Sequence, residues 1–155
     1  MNVLVEVGFS MIRELSKHEY GKPKSIVEVA GRTDNFDGHE NGNRVIYVYE
    51  LDDRAIGEGA LVFKNDDPDY TIHNQRVYIS RVIVDIDYRN QGIGAKIVDH
   101  LLTIAKEKGF IEASIGVDED NYAARHLYEQ KMDFTTILYQ GEDEAGKYLK
   151  LMRKI

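Results

Sequence analysis

The sequence predicts an α/β (α+β) fold in one domain, and three observations carry that prediction. Residues 77–117 read as strand, glycine turn, helix and strand: a β-branched run, a polar turn, an apolar stripe at helical spacing, and an alternating run. Upstream, residues 45–49 and 55–63 form a strand pair across Asp52, Asp53 and Arg54. Downstream, residues 134–140 and 147–153 form a second pair across an acidic, glycine-bounded loop.

The elements follow in chain order. Val3, Val5 and Val7 alternate with Leu4 and Glu6, a short strand. Met11 to Leu15 reads as another strand, so residues 1–10 are either an extra strand or an extension. Residues 25–30 suit a helical turn or two, and residues 31–43, rich in Gly, Asn and Asp, suit a loop. Pro68 breaks the ladder between the first pair and the strand at residues 77–84. Ile97, Val98, Leu101, Leu102, Ile104 and Ala105 mark one face of a helix, with Lys106 and Lys108 in its last turn and Gly109 as its stop. Ile111, Ala113, Ile115 and Val117 alternate as a strand. Asp120 or Asn121 then caps a helix running to about Met132, where Asp133 ends it.

Composition narrows the function classes. A chain of 155 residues is large enough for a sizeable core. It has no cysteine, which excludes disulfides, thiolate nucleophiles and cysteine zinc sites. Its five histidines show no metal-ligand spacing, so no metal is expected. A net charge of −7 argues against nucleic acid and leans toward a cationic amine. No apolar run has membrane-spanning length and residues 1–10 lack a signal pattern, so no membrane association is expected and the cytoplasm is the default compartment.

The chemistry gathers at the glycine turn. A helix start leaves its first N–H groups without internal partners and carries partial positive charge, so Gly92 and Gly94 make a phosphate seat beside Arg89. A P-loop would need Lys and Ser/Thr after the last glycine, and this turn continues Ala95-Lys96-Ile97. A dinucleotide fingerprint would need glycine where Ile97 stands. Arg89-Asn90-Gln91-Gly92-Ile93-Gly94 instead fits Arg/Gln-x-x-Gly-x-Gly/Ala. With that motif the chain resembles the GCN5-related N-acetyltransferase (GNAT) family. A second motif supports the resemblance: Asn at a helix start, a small residue three on, and Leu-Tyr at six and seven on, matched by Asn121, Ala124, Leu127 and Tyr128. Together they cover about residues 77–140.

The resemblance implies a mixed central sheet with helices on both faces and acetyl-CoA as acetyl donor, without metal. It implies that residues 89–94 (Arg89, Asn90, Gln91, Gly92, Ile93, Gly94) with Ala95 hold the pyrophosphate. The main chain of Val82, Ile83 and Val84 would bind the pantetheine and polarise the thioester, and Asn121 would bond the CoA arm. Tyr128 matches the general acid that protonates the leaving thiolate. The strand before the turn lacks the glutamate base of some members. Glu58 on the neighbouring strand is the acidic candidate, His73 and Asp85 stand behind it, and a water chain is an equal alternative. After Tyr128 the usual Glu-x-x-Gly-Phe is replaced by a stretch one residue longer without glycine, ending at Phe134.

The expected activity is acetyl transfer to a primary amine, of a small molecule or a protein, by a monomer or homodimer. A non-catalytic acyl-CoA-binding or sensor module on the same fold is the alternative. Arg125 is about evenly balanced between reaching a CoA phosphate and standing exposed. His100 and His126 read as surface or boundary residues.

Overall fold

The computed structural model describes residues 10–16 and 42–155. The strand expected at Val3–Val7 and the helical turn at residues 25–30 lie outside the described residues, as does most of the loop at 31–43.

Among the described residues, seven strands form one sheet in the order β1-β2-β3-β4-β5-β7-β6, with β1 Ser10–Glu14, β2 Arg44–Leu51, β3 Arg54–Val62, β4 Arg76–Val84, β5 Glu112–Asp118, β6 Thr136–Asp143 and β7 Gly146–Lys154. All neighbours are antiparallel except β4 and β5, which are parallel because helix α1, Ile93–Glu107, crosses over between them. The turn from β2 to β3 is two residues, Asp52 and Asp53, both at positive φ (50° and 66°), the geometry that matches strand twist.

α1 buries Ile93, Ile97, Val98, Leu101, Leu102 and Ala105, so the predicted stripe holds except that Ile104 is only half-buried and Ile93 joins it. It lies close to β3 because that strand offers glycines. A Cβ on Gly57 would reach Ile97 Cδ1 at 2.9 Å, and one on Gly59 would reach Ile97 Cγ2 at 2.7 Å. Strand alternation then turns Glu58, between them, to the opposite face. That second face carries a smaller apolar cluster of Leu15, Ile46, Val48 and Ala60.

The helix after β5 departs from the expected form. Only Tyr122–Arg125 (α2) is α-helical, and His126–Lys131 continues as a π turn, with the Met132 N–H donating to the Leu127 carbonyl five residues back. This widened turn absorbs the additional residue noted before Phe134. Asp133 takes the left-handed conformation (φ 62°) at the exit, where a glycine would be unstrained.

Candidate active site at the parting of β4 and β5

The site exists because β4 and β5 part company. They pair from Arg76 to Ile79 against Glu112 to Ile115 and no further, although both strands continue. The cause lies in β4. Its register against β3 jumps between Ser80, opposite Ala60, and Ile83, opposite Glu58, which leaves Arg81 and Val82 bulged against Gly59. Arg81 sits at φ 54°, a strained setting for a residue with a long side chain. Beyond the bulge, β4 stays bonded to β3, and its other edge faces the gap with main-chain groups free of a β5 ladder.

A cavity of about 410 Å³ lies along this edge, lined by Val82, Ile83, Val84 and the whole glycine turn except Gln91. The turn is held from several directions. Asp85 accepts from the Asp87 N–H at 3.0 Å, and its own N–H donates to the Ile56 carbonyl at 2.8 Å. The Arg89 Nε donates to the Val84 carbonyl at 3.0 Å, which fixes an exposed guanidinium at the turn. The two glycines serve different needs. Gly92 is the N-cap of α1 at φ 81°, and a Cβ there would meet nothing within 4 Å. Gly94 is a packing requirement, since its Cβ would come 3.0 Å from Leu127 Cδ2 on the π turn. Ile93, Gly94 and Ala95 line this space, and as the first helical residues their N–H groups have no earlier helical carbonyl to meet.

On the far wall stand Asn121, Ala124, Leu127 and Tyr128. Asn121 caps α2 with its Oδ1, accepting from the Ala124 N–H at 3.1 Å, so that oxygen is used structurally while the amide nitrogen is free of that duty. Tyr128 is 6% exposed, with its ring edge-on to Phe134. Burial, with Tyr78 nearby, pushes its phenol up to about 12, so the hydroxyl keeps its proton at any physiological pH.

A second chamber, about 520 Å³, opens on the other side. Asn121, Ala124 and Tyr128 line it too, together with Tyr70, Tyr78, Gly116 and Tyr148 and the charged Asp67, Asp118, Asp143 and Lys150. Its wall is preorganised. The Tyr70 ring stacks on Tyr78 at 4.2 Å between centroids, and Ser114 Oγ donates to the Tyr70 carbonyl at 2.6 Å. Gly116 leaves the space the Tyr70 hydroxyl needs, because a Cβ would lie 2.7 Å from it. Lys150 is tied to Asp67 at 2.5 Å and Asp69 at 3.3 Å, and these bonds hold its ammonium well above the usual lysine range. With Lys150 so matched, Asp118 and Asp143 leave the chamber acidic among rings.

The base candidates separate clearly. Asp85 is engaged with the Asp87 N–H and lies 3.5 Å from Arg54, and His73 is exposed on the turn before β4. Glu58 is 1% exposed, opposite Ile83 on the face away from α1, and does not line either chamber. Arg125 is committed to Glu129 at 2.7 Å and to the Glu119 carbonyl, and stands outside both chambers. Sequence reading missed Tyr88, His126 and Lys131, which line the first cavity. Lys131 follows Tyr128 by three residues at the end of the π turn. It also missed the tyrosine chamber, whose members come from residues 67–150 and meet only in the fold. Among the described residues no group of His, Asp and Glu is placed to hold a metal ion, and no helix is long and apolar enough to cross a membrane.

Solved structures share this fold at low identity. A GNAT family acetyltransferase from Elizabethkingia anophelis, with acetyl-CoA bound, aligns with TM-score 0.66 and 16% identity over 94% of this chain and 98% of its own. Ard1 from Thermoplasma volcanium aligns with TM-score 0.70 and 19% identity over 94% and 97%. The acetyltransferase of GNAT family from Streptococcus pneumoniae gives 0.69 and 15% over 95% and 100%. No curated protein matches by sequence. The sequence profile of the acetyltransferase (GNAT) family matches residues 9–134, most of the chain, and the chain belongs to that family.

Proposed function

We propose that this chain is a single-domain N-acetyltransferase that moves acetyl from acetyl-CoA directly to the primary amine of a small-molecule acceptor. The observation that carries the reading is that Tyr128 forms part of the wall of two chambers at once. One is lined by main-chain edge and helix start, the other by tyrosines and carboxylates. A donor in the first and an amine in the second would meet at its hydroxyl.

The first cavity suits the donor. Open space above Gly92, the start of a 15-residue helix and the tethered Arg89 together favour a pyrophosphate. Acetyl-CoA supplies the acetyl group as a thioester, with the thiolate as leaving group. Main-chain groups of Val82, Ile83 and Val84 on the open edge bond the pantetheine and polarise the thioester carbonyl. Asn121 bonds the CoA arm through its free amide nitrogen. Tyr128, protonated and fixed, donates to the sulfur as charge develops there. An incoming ammonium must lose a proton before attack. Glu58, buried on β3 opposite Ile83 and outside both chambers, is the acidic candidate to take it through water, with a water chain ending in solvent as the equal alternative. With no cysteine in the chain, direct transfer is favoured over a thioester-linked acetyl-enzyme.

Thiol release from acetyl-CoA across an amine panel, alongside a CoA-induced thermal shift, tests the proposal. Amine-dependent release with an N-acetylated product supports it. A thermal shift with no turnover on any amine refutes it in favour of an acyl-CoA-binding module.

A further inference from the structure

The bulge that opens the site also places an arginine that the proposed chemistry does not use. Arg81 Nε and Nη2 are buried and reach no hydrogen-bond partner among the described residues. Arg44 at the start of β2 lies within its field, and also within those of Glu58 and Tyr78. Its Nη1 lies 3.4 Å from Ser80 Oγ. Burial and the neighbouring Arg81 charge both lower the pKa of Arg44. Among the described residues, two guanidinium groups thus stand against one carboxylate on the sheet face away from α1. A buried donor without an acceptor is costly, and two adjacent guanidiniums more so, unless an anion joins them.

The position says which molecule would bring the anion. Tyr78 lines the second chamber, its hydroxyl interacts with Ser80, and it influences both Tyr128 and Arg44. Arg44 therefore connects through Ser80 to Tyr78, which lines the chamber proposed for the acceptor amine, while neither arginine lines that chamber directly. The carboxylates Asp118 and Asp143 and the tyrosine rings suit an ammonium there. Cation-favouring chamber and anion-favouring arginine pair match a zwitterion.

We propose that Arg81, with Arg44, is a carboxylate-binding subsite that selects an acceptor carrying a carboxylate close to its amine, an amino acid. Arg81 supplies a planar fork suited to a carboxylate. The inference rests on the N-acetyltransferase reading above and adds a preference among acceptors.

The test uses the full chain with acetyl-CoA and three matched sets of acceptors: L-amino acids of each side-chain class, their C-terminal amides, and the amines lacking the carboxylate. The expected result is kcat/KM at least about 10-fold higher for the best acids than for their amides, the size of a lost charge-assisted hydrogen bond. Arg81→Met should abolish that preference by raising KM for the acid, and Arg81→Lys should restore part of it. Equal use of acids and amides by the wild-type protein overturns the subsite and leaves the N-acetyltransferase reading intact. So does an Arg81→Met variant that keeps the preference. No transfer to any of the three sets removes that reading, and the subsite falls with it.

Discussion

Replacing Tyr128 with phenylalanine removes one oxygen from the wall shared by the two chambers and keeps the ring against Phe134. The size of the effect follows from the buried phenol. With the hydroxyl at about 12 and a thiol at about 8.5, outright proton transfer to the thiolate is uphill by about 3.5 units. In the proposed mechanism the phenol would therefore act mainly as a charge-assisted hydrogen-bond donor to the developing thiolate, worth about 1.5–3 kcal/mol. That converts to a fall in kcat of about 10- to 100-fold. KM for acetyl-CoA should change little, because the contacts proposed for its pyrophosphate and pantetheine lie at residues 82–84 and 89–95 and not at the hydroxyl. Steady-state thiol release at saturating acetyl-CoA measures both. Wild-type turnover in Tyr128→Phe refutes the assignment. A loss confined to KM would move Tyr128 from chemistry to binding.

Further perturbations test other parts of the structure. Because burial raises the Tyr128 phenol, the folded state holds its proton more tightly than the unfolded chain does. That stability is fully present below pH 10 and is lost as pH rises toward 12, up to about 3 kcal/mol. Denaturant midpoints of Tyr128→Phe should therefore fall less steeply than wild type between pH 10 and 12. Glu58→Gln should alter the acidic limb of the kcat/KM profile, and an unchanged limb eliminates Glu58 as the base. Gly59→Ala forces a methyl to 2.7 Å from Ile97 Cγ2 and should cost about 1–3 kcal/mol, seen as a lower Tm. Gly92→Ala meets no atom but must hold φ 81°. It should cost about 1–2 kcal/mol and also weaken the CoA-induced thermal shift, whereas Gly59→Ala should leave that shift unchanged.

Local chemistry made much of this fold legible. The β-branched run, Gly92 and the helical stripe lie within 30 consecutive residues, so strand, turn and α1 follow from spacing alone. Asn121 could be read as a helix cap because capping depends on a residue and the N–H groups just after it, and it does accept from Ala124. The bulge was not legible. Arg81 carries no glycine signal, and its positive φ reflects pairing with β3 rather than its own preference. Nor was the tyrosine chamber, since Tyr70, Tyr78 and Tyr148 are brought together by a parallel crossover and a closing hairpin. The longer stretch after Tyr128 was visible as a departure, but its resolution was not. Hydrogen-bond geometry stores the added residue as a π turn, and Asp133 stands in the left-handed position that a glycine would fill without strain.

In the proposed reading, with donor and acceptor in two chambers that meet at Tyr128, both are bound together when acetyl moves. Initial rates measured over a matrix of acetyl-CoA and amine concentrations, with the N-acetylated product isolated, test that claim most directly. The account predicts intersecting double-reciprocal lines and product equal to the thiol released. Parallel lines, the signature of an acetyl-enzyme formed before the amine arrives, would contradict it.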